Sequence, residues 1–208
     1  MRTLTTILFL LTLTSCGQEN NPIKLGLGVI AIADTYDESK IVTVYKDKDF
    51  KAKIEDFKLY GQLKRIWPYY FKPDYGLCSF VCLEKTKGYF KILINDTEEG
   101  FLKNDSEKYF KTWESLLINS TIERLDLKSN PLKLKPGDNQ TTISLEYEVK
   151  VDRLEVIDVI EIYGQDWINV RFSKTGKVPC DKGASDCGTA WIKWKSGDKL
   201  LVNILLLC

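Results

Sequence analysis

The residues of this chain best suited to chemistry are its six cysteines, Cys16, Cys78, Cys82, Cys180, Cys187 and Cys208. Thiolates bind soft metals and act as nucleophiles, and paired thiols oxidise to covalent staples. Histidine is absent from all 208 residues, which removes the most usual general base and the commonest metal ligand together. A serine or cysteine triad of the usual kind therefore has no base. Acidic side chains are plentiful, yet no pair stands apart from the surface background as the two carboxylates of a hydrolase. These residues imply a non-catalytic protein that needs no cofactor.

The first cysteine belongs to an address. Met1 to Cys16 reads MRTLTTILFLLTLTSC, with Arg2 followed by an apolar run from Leu4 to Leu13. That run is shorter than the roughly 20 residues needed to cross a bilayer, so residues 1–15 read as a secretory signal. Leu13-Thr14-Ser15-Cys16 resembles a bacterial lipobox. The resemblance implies that Cys16 receives a lipid and becomes the mature N-terminus, tethering the protein to a membrane of the bacterial cell envelope, on its periplasmic or outer side. Two acyl chains suffice for stable anchoring at about 0.8 kcal/mol per buried methylene. Residues 16–24 are mostly polar and serve as the tether.

In an exported chain the remaining cysteines are counted first as disulfides. Cys180 and Cys187 lie close in sequence and form the best pair, worth about 2 to 3 kcal/mol by chain entropy. Cys78 and Cys82 would stand about 13 Å apart on an extended strand, too far to bridge. A zinc site from Cys78, Cys82, Cys180 and Cys187 is the alternative, but neither spacing is C-x-x-C, and no metal is expected.

The elements that position Cys180 and Cys187 form a hairpin with a long polar loop. Its first strand, Asp166 to Phe172, sets Trp167, Asn169 and Arg171 on one face and Ile168, Val170 and Phe172 on the other. Its second, Ala190 to Lys195, places Trp191 with the polar set. The sequence D-W-I-N-V-R, a variable loop, then G-T-A-W-I-K-W resembles bacterial SH3-like small barrels over residues 125–208. Asp166 stands where that family usually has glycine. The resemblance implies a small β-barrel with a binding role, whose ligand groove would be lined by Trp167 and Trp191 with Tyr163 at its edge.

A weaker echo precedes it. GYFKILI (88 to 94) and GFLK (100 to 103) match the two strands and set Tyr89 and Phe101 where Trp167 and Trp191 stand. The expected architecture is therefore mainly β, two SH3-like barrels in tandem over residues 25–117 and 125–208. A short amphipathic helix from Asp105 to Leu117, capped by Asp105 or Ser106, closes the first, and residues 118–124 are the linker. Ile41 to Asp47 reads as a strand. The aromatic stretch from Leu59 to Phe80 is broken by Pro68 and Pro73 and reads as a loop or edge.

With 30 basic against 29 acidic residues the net charge is +1, and nothing asks for nucleic acid. The expected function is a membrane-tethered binding module for cell-wall peptide or an envelope protein. The alternative is an inhibitor or immunity-type lipoprotein that occludes a secreted enzyme, with Trp67 to Phe71 as its plug.

Overall fold

The computed structural model describes residues 18–19, 24–32, 37–143, 153–174 and 187–206. Period-two burial builds most of its elements. They run as β1 (Gln18–Glu19), β2 (Gly28–Ile32), β3 (Ile41–Tyr45), β4 (Lys53–Lys58), β5 (Tyr70–Lys72), β6 (Leu77–Lys85), β7 (Tyr89–Leu93), β8 (Glu99–Lys103) and β9 (Lys108–Lys111). After α1 (Trp113–Leu117) come β10 (Thr121–Arg124), β11 (Leu154–Ile162), β12 (Gln165–Ser173), β13 (Cys187–Lys193), β14 (Lys195–Ser196), β15 (Lys199–Leu200) and β16 (Val202–Leu205). The protein is mainly β, as expected.

A nine-stranded sheet has the order β1-β5-β6-β7-β8-β3-β4, with β2 pairing β6 on one edge and β9 on the other. A five-stranded sheet has the order β13-β12-β11-β10-β16. Both sheets are open, which corrects the expectation of two closed barrels. In the second sheet the free edge of β13 does not reach β16. It pairs instead with Lys133, whose main-chain N–H and C=O exchange hydrogen bonds with Trp191. The expected linker is also corrected, because Thr121–Arg124 is the strand that joins β11 to β16.

The helix is shorter than its apolar spacing suggested. Lys108–Lys111 pairs with β2 as a strand, since the open edge of Val29–Ile32 offers a ladder that a helix could not satisfy. Helical structure begins only after Thr112, whose hydroxyl caps the N–H of Ser115 in place of Asp105 or Ser106. Tyr109 is left exposed, while Trp113 and Leu117 are buried.

Two apolar clusters hold the sheets. One lies within the first half and contains Ile30, Val44, Cys78, Phe80, Cys82, Phe90 and Ile92. The other is shared: Val29, Val81, Leu93 and Trp113 join Ile122, Val156, Ile168, Val170, Ile192 and Ile204 in one continuous cluster. β2 and β6 therefore bury both faces, which explains their nearly unbroken apolar runs. Trp113 secures the junction. Its indole N–H donates to the carbonyl of Leu25 at 2.7 Å, and its ring meets Tyr69 edge to face.

The echo between the two hairpins extends to their pairing. Tyr89 stands opposite Lys103 and Lys91 opposite Phe101, just as Trp167 stands opposite Lys193 and Asn169 opposite Trp191. The preceding strand is bulged at the same place in both. β6 shifts register between Cys82 and Glu84, across from Ile92 and Lys91. β11 shifts between Val156 and Asp158, across from Val170 and Asn169. A bulge re-aims a strand at a fixed point, and both three-stranded units carry one at the matching position.

Candidate functional site

The face of β12 that carries Trp167 points away from the shared core, as the alternation predicts. It is nevertheless covered. The connection from Leu125 to Ile143 folds over it, and Asn130 is the clasp: its side-chain amide donates to the carbonyl of Lys193 at 2.7 Å and accepts the N–H of Lys193 at 3.1 Å. Trp167 is thus only 2% exposed, which corrects the expectation of an outward-facing ring. Spacing gave the face correctly but could not show a loop arriving from residues 125–143.

Between that loop and the hairpin lies a polar cavity of about 270 Å³, walled by Trp167, Lys193, Lys128, Asn130, Lys133 and Asp138 among others. Lys193 sits over the indole ring, 5.5 Å from its centre, and its ammonium reaches the Asp138 carboxylate at 2.7 Å. Gln165 donates to the other oxygen of Asp138 at 3.0 Å. These two partners, Lys193 foremost, hold the Asp138 carboxyl below its ordinary value of 3.8. Lys133 donates to the carbonyls of Asp138 and Gln140, which fixes the turn through Gly137. The indole N–H of Trp167 is buried and has no hydrogen-bond partner, and the same is true of the side-chain oxygen of Asn169. A buried donor left unpaired costs about 1–3 kcal/mol.

The other expected ligand residues do not gather here. Trp191 is half-buried beside Lys133. Tyr163 is 97% exposed at the tip of the β11–β12 turn, with a positive φ of 53°. Tyr89 and Phe101 pack edge to face on the first sheet at 5.5 Å, and the Tyr89 hydroxyl donates to Glu84. The sequence reading missed Asn130, Lys133, Asp138 and Lys193.

The cysteines separate. Cys78 and Cys82 are free and buried on β6, where burial pushes the Cys82 thiol up to about 11 and the Cys78 thiol well above its usual range. Cys187 opens β13. Cys16, Cys180 and Cys208, and with them the lipid site and the expected Cys180–Cys187 pair, lie outside the described residues. Among the described residues no group of three or more cysteine and acidic side chains could hold a metal ion.

A second concavity of about 280 Å³ lies on the first half, lined by Gly61, Leu63, Trp67, Pro68, Phe71 and Pro73 among others. Ile66, Tyr69 and Tyr70 are buried around it, yet Trp67 itself remains 50% exposed. The aromatic stretch is therefore divided between core and surface.

No protein-family model matches this sequence, and no curated protein or solved structure matches it either.

Proposed function

We propose that this chain is a lipid-anchored bacterial envelope protein that acts as a non-catalytic binding module, holding the charged end of a cell-wall peptide in the cavity over Trp167. One observation carries the reading: a polar cavity of about 270 Å³ lies against Trp167 and bears Lys128, Lys133, Lys193 and Asp138. Lys193 and Lys133 are already engaged within the loop, whereas Lys128 is exposed and enters no ion pair among the described residues. A peptide carboxylate would meet Lys128, and charge-assisted hydrogen bonds of this kind are about twice as strong as neutral ones. The same proposal reads residues 125–206 as an opened relative of SH3-like barrels, supported by the tryptophan hairpin and its register.

Calorimetric titration of the purified protein with soluble cell-wall peptides tests it. Binding that is lost in Lys128→Ala with the fold unchanged is the expected result. No heat with any fragment and no retention on purified cell wall would reject the cavity as a peptide site.

The inhibitor or immunity-type reading is favoured by the exposure of Trp67 beside its groove. A single stoichiometric partner from envelope extract, released by Trp67→Ala, would support it instead.

A further inference from the structure

The short strand β1 gives the Trp67 loop an orientation. Gln18 and Glu19 pair antiparallel with Phe71 and Tyr70, so the tether is held beside the aromatic loop at its very start. Cys16 lies two residues ahead of Gln18. Two residues of extended chain reach at most about 7 Å, so a lipid on Cys16 would enter the bilayer next to Phe71.

What surrounds Phe71 suits a membrane surface. Trp67 is 50% and Tyr75 56% exposed, and indole and phenol rings favour the headgroup level, where one end is apolar and the other wet. Lys58, Lys64 and Arg65 are exposed within the same loop and its approach, and hold no ion pair among the described residues. The nearby acid Glu55 is spent inward, accepting the main-chain N–H groups of Lys64 and Arg65 at 2.9 and 2.7 Å. Asp74 is the one acidic residue between positions 58 and 75, against the exposed Lys58, Lys64 and Arg65. The loop is also firmly based, since Ile66 is fully buried and the N–H of Trp67 donates to the carbonyl of Ile94.

We propose that the Trp67 loop is the membrane-facing surface of this protein and rests on anionic lipid headgroups beside the anchor. The proposal depends on the lipid at Cys16 put forward above. It assigns the loop to a lipid surface and leaves the Trp167 cavity on the other half of the molecule available for a ligand.

The test uses the full lipidated protein reconstituted in vesicles of phosphatidylcholine with phosphatidylglycerol, brominated in their acyl chains. Bromine quenches only indoles at the bilayer, so part of the tryptophan emission should be quenched, and that part should vanish in Trp67→Phe, which keeps an aromatic ring at this half-exposed position. Lys64→Glu and Arg65→Glu should each weaken docking at least roughly fivefold in anionic vesicles and little in pure phosphatidylcholine. Fatty-acid labelling of Cys16 on the same preparation reads the anchor separately. Label present with quenching unchanged by Trp67→Phe overturns the docking and leaves the anchor standing. Absence of label overturns both. Protection of Trp67 by a stoichiometric protein partner, in place of lipid, also overturns it.

Discussion

Lys193 and Trp167 face each other across β12 and β13, with the ammonium 5.5 Å from the centre of the indole ring. The contact joins a covered aromatic to a charge that the Asp138 carboxylate fixes from the loop side at 2.7 Å. A cation over an indole contributes about 0.5–1 kcal/mol at exposed sites and about 2 kcal/mol when desolvated, and Lys193, with its side chain 24% exposed, lies between the two. Lys193 thus joins the two clamps already made by Asn130 and by the Lys133–Trp191 main-chain pair.

Because Trp167 is buried and Tyr163 is not, the two should behave oppositely on truncation. Trp167→Ala is expected to cost about 3–5 kcal/mol. Tyr163→Ala should fall within about 0.5 kcal/mol, and Tyr163→Asn should stabilise the chain by up to about 1 kcal/mol, since Asn tolerates the positive φ at that turn better. Urea unfolding of the three variants checks all of this.

Asn130→Ala removes both side-chain hydrogen bonds to the main chain of Lys193 and leaves its N–H and C=O unpaired. The expected loss is about 1–3 kcal/mol. Hydrogen exchange should show the Lys193 amide losing protection while Ile168 and Val170 keep theirs.

Acid should release the same loop. The Asp138 carboxyl is held below 3.8 by Lys193 and then by Gln165, so its contribution is present above the unfolded value and disappears as pH falls through the lower folded one. NMR titration should show the Lys193 and Gln165 signals moving below about pH 4, and Asp138→Asn should abolish that step.

The buried thiols give an alkaline counterpart. With its pKa raised from 9.0 to about 11, Cys82 contributes stability that is complete below 9.0 and is lost as pH rises toward 11. At neutral pH, Cys78 and Cys82 should resist iodoacetamide until denaturant is added, because the thiolate is the reacting form and both are buried. Mass spectrometry of the alkylated chain reads the result.

Much of the fold was legible in local spacing. Ile41 to Tyr45, the two hairpins and the face assignment of Trp167 all follow from period-two alternation, and the weak echo at Gly88 carries the same register and the same bulge. What spacing could not supply were contacts made at long range. Whether Trp167 meets water depends on Asn130 finding Lys193, 63 residues away, and neither residue type announces it. Lys108–Lys111 looked helical with Trp113 and Leu117 until the edge of β2 claimed it. Lys53–Lys58 carries no clear apolar signal, because its charged residues mask an edge strand with Glu55 and Phe57 turned inward. The candidate site was half visible: its tryptophan was found, and its lysines were not, since surface lysines carry no positional signal.

The cluster shared by Val29 and Val81 with Ile192 and Ile204 has a consequence for how the chain is made. A ribosome delivers the last strand of the first sheet, ending at Lys111, about ninety residues before Ile204 emerges. During that interval the rear of the first sheet is a sticky, uncovered plane. Completion must wait for the last strands, so a truncation before β16 should produce not a smaller working module but an aggregating fragment.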